Sequence, residues 1–281
     1  MDIPPAREIW AWLITYTSNI YITMNNEWIG RLGHFWSLAV EEQFYLIWPW
    51  IVLLMPHKRL VPILLFLIAL APAYRLYAYV TFPFDIGAMD FKASTFPLGN
   101  LDSLSMGALL AFAWDSKVSK QTLQKYLTVS VLPAGLILYA ISLAFYHYRT
   151  KPSVFFAIGD LAAAMVFTWL VGTAAVGFKG RLAKVIEFAP LTYLGKISYG
   201  LYVYHYLIPI ILIPCLAWFG YNLQVPGRMS FVLSTTLTIL IASASWYWIE
   251  SPINSLKNRF RYSPEHQSVP SAPKKITGTV T

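Results

Sequence analysis

Apolar residues gather in long stretches along this chain, and the polar residues between them come in short clusters. About twenty apolar residues are what a helix needs to cross a bilayer core of about 30 Å. Eight such stretches are legible: Ile9–Met24, Trp36–Met55, Leu60–Tyr79, Leu101–Trp114, Tyr126–Tyr146, Val154–Phe178, Ile197–Phe219 and Phe231–Ile249. The first is short and rich in Thr, Tyr and Asn, so it also fits a half-helix. Leu101–Trp114 is short too, and its start reads equally well near Phe96. The pattern predicts an all-α polytopic membrane helix bundle with about eight transmembrane segments in this chain.

Composition agrees. Hydrophobic residues fill 57% of 281 positions and charged ones 12%, about half the charge of a soluble domain. Met1-Asp2-Ile3-Pro4-Pro5 lacks the basic start of a signal peptide. The single cysteine, Cys215, lies in an apolar run, which rules out an intrachain disulfide and gives the thiol a packing role. The formal net charge of +8 belongs to cytoplasmic loops in such a protein, and no nucleic-acid partner is expected.

Counting Lys and Arg on alternate loops puts fourteen on one side, among them Lys58, Arg59, Lys117, Lys120, Lys125, Lys179, Arg181 and Lys184. Six fall on the other: Arg31, Arg75, Lys92, Arg149, Lys151 and Arg228. The richer side, with both termini, is then cytoplasmic. The outer connection Val80–Asn100 carries Pro83, Gly87, Pro97 and Gly99 and reads as a structured loop. A membrane-embedded domain occupies 1–252. Residues 253–281 form a basic tail too polar to bury a core and expected to be disordered, and Lys257 to Arg261 suit the anionic inner leaflet.

Polar groups inside the stretches carry the candidate chemistry. His34 to Pro49 sets two adjacent carboxylates and an amide, Glu41, Glu42 and Gln43, in a run otherwise aromatic and aliphatic. A charge in a bilayer helix costs about 2.5–3.5 kcal/mol, so such a pair calls for partners, protons or water. Glu41 and Tyr45 share one helix face; Glu42, Leu46 and Pro49 share the next. Pro49 cannot donate to the Tyr45 carbonyl, which predicts a kink. His34 precedes Glu41 by about 10 Å of ideal helix, and meets the glutamates only if the chain bends near Gly33. Acids near a helix start also favour its dipole and the headgroups; the company of Gln43 favours function.

Further on, Ser198, Tyr202 and His205 stand at i, i+4 and i+7 and line one face, and Pro209 frees the carbonyl of His205. Asp102 opens the fourth stretch, as N-cap or functional acid, ahead of a small-residue stripe of Ser103, Gly107 and Ala111 suited to close helix packing. Asp160 lies about two turns into its stretch among Ala and Gly. Glu250 closes the last stretch, at the inner interface, where a basic loop residue is its expected partner. There is no metal-ligand spacing, P-loop or dinucleotide fingerprint, and no Gly-x-Ser-x-Gly hydrolase elbow.

His34 to Pro49 resembles the "WSL-VEEQFYL-WP" signature of the acyltransferase 3 family of bacterial membrane proteins. Leu101 to Ala111, Leu194 to His205 and Glu250-Ser251-Pro252 match further family segments in order, so the resemblance covers about Ser18 to Pro252. It implies transfer of an acyl group, often acetyl, from a coenzyme A thioester to a sugar hydroxyl of a surface polysaccharide, lipopolysaccharide, peptidoglycan or glycolipid. The setting implied is the bacterial inner membrane, with acyl-CoA as co-substrate, no permanently bound cofactor, and a glycan or glycolipid acceptor. Where family members carry an arginine just before the aspartate, this chain has Asn100, which removes that ion-pair partner from Asp102. The family begins with a helix bearing a basic residue and, eleven positions on, a histidine regarded as the catalytic base, followed by a Gly-rich helix. Neither is found here, so the sequence reads as a family member lacking its N-terminal helices.

By the resemblance, an imidazole takes the acceptor's proton as its oxygen attacks the thioester, and a carboxylate orients the ring. His34 and His205 are the candidate bases here, with Glu41 or Glu42 orienting. Trp36, Ser37, Gln43, Tyr45, Asp102, Ser198 and Tyr202 are candidates for holding substrate. The cations Lys117, Lys120, Lys179, Arg181 and Lys184 suit the phosphates of CoA. Acceptor enters from outside, beneath Val80–Asn100. Helix rise leaves about 10 Å of depth between Glu41 and His205, so they line one tunnel without touching. Two other readings stand beside the enzyme. One is a transporter or flippase for an acylated sugar or other solute, which uses intramembrane carboxylates and broken helices equally well. The other is an inactive family member that only binds partners.

Overall fold

The computed structural model describes residues 6–81, 91–116, 118–147, 152–221 and 227–260, and all regular structure among them is helical. The chain divides into two compact units, Met1–Tyr193 and Leu194–Thr281. The first holds α1 (Ala6–Ile14), α2 (Ser18–Asn25), α3 (Phe35–Leu54), α4 (His57–Thr81), α5 (Leu101–Asp115), α6 (Lys120–His147), α7 (Pro152–Val176) and α8 (Gly180–Ile186). The unit boundary falls within α9 (Ala189–Lys196). The second holds α10 (Ser198–Tyr204), α11 (Leu207–Trp218) and α12 (Arg228–Ser255). The short helices α8 and α9 lie where no element was expected.

Among the described residues, four helices are long and apolar enough to cross a bilayer, α4, α6, α7 and α12, and a fifth if the bent pair α10–α11 is one span. About eight were expected, and the shortfall has local causes. Ile9–Met24 breaks into α1 and α2, with Tyr16 in left-handed backbone at φ 54° between them. Helix α5 has 15 residues, about 22 Å of rise. Helix α3 has 20 residues, but the step Glu41-Glu42-Gln43 dilutes its apolar character. It stays helical through Pro49.

In the first unit α4, α5 and α7 pack on one another, and α6 lies along α7. Small residues make this possible: Ala71 and Ala78 of α4 and Ala157 and Ala162 of α7 are fully buried. A Cβ on Gly135 would come 3.0 Å from the Cβ of Met165, and one on Gly172 would collide with Leu127. Helices in lipid gain little from hiding apolar side chains from each other, so close backbone approach holds the bundle. The large apolar residues point outward instead; Leu46, Leu53, Phe66, Val80 and Phe167 are all exposed, which suits a lipid-facing surface.

Helix α5 turns the other way from expectation. Ser103, Gly107 and Ala111 form its exposed face, with open space around Gly107. Asp102, Ser105 and Met106 face the core. The stripe is not the packing seam because Asp102 has a cationic partner inside.

In the second unit α10 and α11 both pack on α12. The expected single stretch Ile197–Phe219 bends by 52° between them, at His205 and Tyr206. Pro209 falls in the first turn of α11, where a missing N–H costs no intrahelical bond, so the expected freed carbonyl becomes a full break. Helix α12 widens into a π turn at Trp246–Glu250, continues through Pro252 to Ser255, and passes into a 3-10 turn at Leu256–Phe260. Residues 253–260 are therefore helical; the rest of the expected tail lies outside the described residues.

Candidate active site

The glutamate stretch is clamped from one side. Gln43 and Asn19 exchange amide hydrogen bonds, Asn19 Nδ2 to Gln43 Oε1 at 3.3 Å and Gln43 Nε2 to Asn19 Oδ1 at 2.9 Å. Gln43 Nε2 also donates to the Tyr16 carbonyl at 2.7 Å, the backbone that the α1–α2 break leaves open. Thr23 then donates to the Asn19 carbonyl at 2.8 Å and meets the Thr95 hydroxyl at 2.9 Å. Asn19 and Thr95 are fully buried. Gln43 is thus spent on holding α2 to α3, while Glu41 is exposed and Glu42 half-buried beside it. Tyr45, one turn on, is exposed.

Trp36 packs against the buried cluster Ile9, Ile22 and Ile29. Ser37 donates to the His34 carbonyl at 3.4 Å. His34 has helical backbone and its ring lies 4.2 Å from that of Phe35. Gly33 is helical as well, at φ −55° and ψ −32°, so the bend that would fold His34 onto the glutamates is not made there. The two remain about 10 Å apart along the axis.

A second centre, unforeseen in the sequence, lies where α4, α5 and α7 meet. Arg75 was counted as a loop cation; it is a fully buried residue of α4. Its Nη2 stands 2.6 Å from Asp102 Oδ2 and its Nη1 3.2 Å from Asp102 Oδ1. Nε donates to the Ala157 carbonyl at 3.0 Å, and Nη1 to the Gly99 carbonyl. Asp160 Oδ2 of α7 lies 3.8 Å from Nη1. Asp102 is therefore not the N-cap of α5. Asn100 holds that position, and its amide turns back to the carbonyls of Ser94 and Phe96. The ion pair that Asn100 cannot make comes from α4. Arg75 is thus not one of the loop cations, which leaves five on its side of the loop count against fourteen.

The same arginine fixes the described part of the Val80–Asn100 connection. Residues 82–90 lie outside the described residues, but Phe91–Asn100 folds onto α4 as a π turn and a 3-10 turn. Tyr74 donates to the Lys92 carbonyl at 2.8 Å. Gly99 packs so close to Ala93 that a Cβ there would fall on the Ala93 carbonyl oxygen. From Gln43 through Asn19, Thr23 and Thr95 to Gly99 and Arg75, α3 and α5 are tied through one clasp.

In the second unit, Ser198 is exposed, Tyr202 is half-buried, and His205 sits just past the end of α10. The Nδ1 of His205 lies 2.6 Å from the Tyr202 carbonyl, and the two rings are 5.7 Å apart. His205, Leu201, Pro209, Ser230 and Thr238 help line a largely apolar cavity of about 570 Å³. Glu250, expected to meet a basic residue, accepts from Ser245 Oγ at 3.0 Å, and Tyr204 donates to the same Ser245 at 3.4 Å.

The proposed phosphate cations are surface groups. Lys120 Nζ lies 4.4 Å from the centre of the Trp114 ring. Lys179 precedes α8, which carries Arg181 and Lys184, all exposed. Lys117 lies outside the described residues. A cavity of about 440 Å³ opens between α3, α4 and α5, with Trp48, His57, Phe112 and Asp115 on its walls.

Residues 4–247 match the family model described as "Acyltransferase domain". The chain belongs to the acyltransferase 3 family. That match takes in every helix from α1 to α11, most of α12, the clasp and the Arg75 centre. The chain is 28% identical over 268 residues to "O-acetyltransferase OatA" of Staphylococcus aureus strain MRSA252, covering 91% of this chain and 42% of that protein. It is 27% identical over 229 residues to "Peptidoglycan O-acetyltransferase OatA" of Listeria monocytogenes, covering 82% of this chain and 36% of that protein. The chain thus spans about two fifths of the length of these curated relatives. No solved structure matches it significantly.

Proposed function

We propose that this protein is a bacterial membrane O-acyltransferase that moves an acyl group, acetyl by the names of its relatives, from acyl-CoA to a sugar hydroxyl of a cell-surface glycan. The observation that carries this reading is the acyltransferase 3 match over residues 4–247. The relatives' names, peptidoglycan O-acetyltransferase among them, point to a cell-wall glycan as acceptor. The geometry supports it through Glu41 and Glu42, carboxylates that remain accessible on an apolar helix because Gln43 takes up the structural bonding beside them.

In the reaction, the acceptor oxygen attacks the thioester carbonyl carbon as an imidazole takes its proton, and the C–S bond breaks to release CoA thiolate. His34 at the start of α3 and His205 at the α10–α11 break are the candidate imidazoles, and Glu41 and Glu42, about 10 Å from His34 along α3, do not reach its ring directly. Trp36, Ser37, Tyr45, Ser198 and Tyr202 bind substrate. Gln43 and Asp102 act one step back, by fixing α3 and α5. Lys120, Lys179, Arg181 and Lys184, with Lys117, meet the phosphates of CoA on the cytoplasmic side, where the C-terminus also lies.

Membranes carrying the protein, given labelled acetyl-CoA, are expected to pass label to glycan without any ion gradient. Glu41→Gln and Glu42→Gln abolish that transfer while insertion stays normal; full labelling by both variants sinks their role. The bent pair α10–α11 keeps a second reading in view, since broken helices also build transporter sites. Label that crosses the membrane only with a gradient, and never becomes covalently attached, selects that reading.

A further inference from the structure

Three aromatic rings from three helices meet in the first unit, where α3 ends, α4 begins and α5 stops. Trp48 of α3, His57 of α4 and Phe112 of α5 line a cavity of about 440 Å³, inside the range of about 300–1,000 Å³ for small-molecule sites. Phe44 stacks on Trp48 with 5.4 Å between ring centres and holds that ring. The rings of His57 and Phe112 are 6.4 Å apart. Asp115, the last residue of α5, and Ser116 add polar groups to the wall. The space exists because α5 presents Ala108 and Ala111 opposite Trp48, neither of them buried. His57, Ala111 and Asp115 are exposed, so the cavity is open at its rim.

Charge and reach select the ligand. Lys58 and Arg59 follow His57 in the first turn of α4, both exposed. Lys120 Nζ lies 4.4 Å from the centre of the ring of Trp114, the residue before Asp115. Rings bordered by cations suit a molecule with a flat base at one end and phosphates beside it, because bases stack on aromatic side chains and phosphates take charge-assisted bonds from Lys and Arg. Asp115 sets the direction: it repels a phosphate placed against it and accepts from the exocyclic amine of adenine. The base therefore faces in and the phosphates stay at the rim. Along α3, Glu41, Trp48 and Val52 stand at i, i+7 and i+11 on one face. Val52 lines the cavity, and eleven residues of rise put it about 16 Å from Glu41, a gap that an extended pantetheine arm bridges.

We infer that the cavity of Trp48, His57 and Phe112 binds the adenosine end of the acyl-CoA donor, with Lys58, Arg59 and Lys120 on its phosphates and the pantetheine arm laid along α3 towards Glu41. This rests on the O-acyltransferase reading above. It gives the donor a base-binding pocket, where that reading supplies only cations for its phosphates.

The test uses the full protein in detergent, with a soluble tetrasaccharide of alternating N-acetylglucosamine and N-acetylmuramic acid as acceptor. Two labelled donors are compared, acetyl-CoA and S-acetyl phosphopantetheine, which lacks the adenosine 3′,5′-bisphosphate end. Trp48→Leu should raise the KM for acetyl-CoA at least tenfold and that for acetyl phosphopantetheine less than threefold; Trp48→Phe, which keeps a ring, should recover part of the loss. His57→Ala, at an exposed position that does not threaten folding, should show the same contrast. Binding of adenosine 3′,5′-bisphosphate alone, followed by calorimetry, should weaken by the same factor in each variant. Transfer by the wild type, with the KM for acetyl-CoA unchanged in Trp48→Leu and His57→Ala, overturns the inference alone. An equal rise for both donors also overturns it, because the base is then not what the cavity holds. Phosphatidylglycerol retained by the wild type, lost in Trp48→Leu and not displaced by the bisphosphate overturns it too and gives the cavity to lipid. Bisphosphate binding that depends on Trp48 in a wild type that transfers acetyl from neither donor overturns the acyltransferase reading and leaves the nucleotide site standing.

Discussion

The Nη2 of Arg75 stands 2.6 Å from Oδ2 of Asp102, with both side chains 1% exposed. Such a pair adds little net stability, because desolvating two charges offsets most of their attraction, but removing one partner strands the other. Arg75→Met should therefore destabilise by about 3–5 kcal/mol. The double variant Arg75→Met with Asp102→Leu should recover the part due to the stranded charge. It should not recover all of it, because the Gly99 and Ala157 carbonyls remain without their donor, at about 1–3 kcal/mol each. Unfolding temperatures in detergent should rank wild type, double variant, single variant; a double variant no better than the single one refutes the pairing account.

Gly99 and Gly107, eight residues apart, should respond to alanine in opposite directions. A Cβ on Gly99 runs into the Ala93 carbonyl, which is backbone and cannot rotate aside. Gly99→Ala should cost about 1–3 kcal/mol as overpacking and expose Phe91–Asn100 to protease. Gly107 lies in open space on α5, where alanine removes the helix penalty of glycine, a gain of about 0.5–1 kcal/mol. Equal thermal shifts of one sign in both variants contradict the clasp.

The long helices were legible from apolar run lengths, and the Glu41-Glu42 step from its charge in such a run, but the short α8 and α9 were not. What was not legible was pairing across helices. Arg75 lies within the stretch Leu60–Tyr79, yet it passed as a loop cation because nothing in local sequence names Asp102 or Asp160 as its partners. Asn19 and Gln43 were hidden the same way, twenty-four residues apart. The Ser103–Gly107–Ala111 stripe misled because small residues mark a packing seam only when nothing polar on the other face demands burial first. The count of about eight spans is not confirmed: Ile9–Met24, which also fits a half-helix, is interrupted from Thr15 to Thr17, and α5 ends at Asp115, as short as Leu101–Trp114 predicted.

Gln43 and Glu42 are neighbours with separable roles. Gln43→Leu removes three hydrogen bonds at one site and leaves the buried amide of Asn19 without its partner, a loss of about 1–3 kcal/mol. Glu42→Gln leaves those bonds in place and should keep the unfolding temperature within a degree or so while removing acetyl transfer. Melting curves and labelled acetyl-CoA transfer on the same two preparations check this. A Glu42→Gln protein that melts early, or a Gln43→Leu protein with unaltered stability, reverses the assignment.

In the second unit, Gly200 and Ser245 should prove coupled through Glu250. Ser245 Oγ donates to Glu250 Oε1 at 3.0 Å, and an added Cβ on Gly200 would stand 3.3 Å from that same oxygen and 3.1 Å from Cα and Cβ of Ala242. The carboxylate ends a flexible chain and can yield, whereas the Ala242 backbone cannot. Ser245→Ala should cost about 1.5–3 kcal/mol, the range for a hydrogen bond to a charged group. Gly200→Ala pays for the Ala242 contact and for displacing Glu250. Once Ser245 no longer holds that carboxylate, the displacement costs less, so the double variant should be more stable than the sum of the single losses predicts. A coupling of about 0.5–2 kcal/mol is in the range for residues that share a partner. Strict additivity of the unfolding free energies would show that Glu250 is held by something other than Ser245.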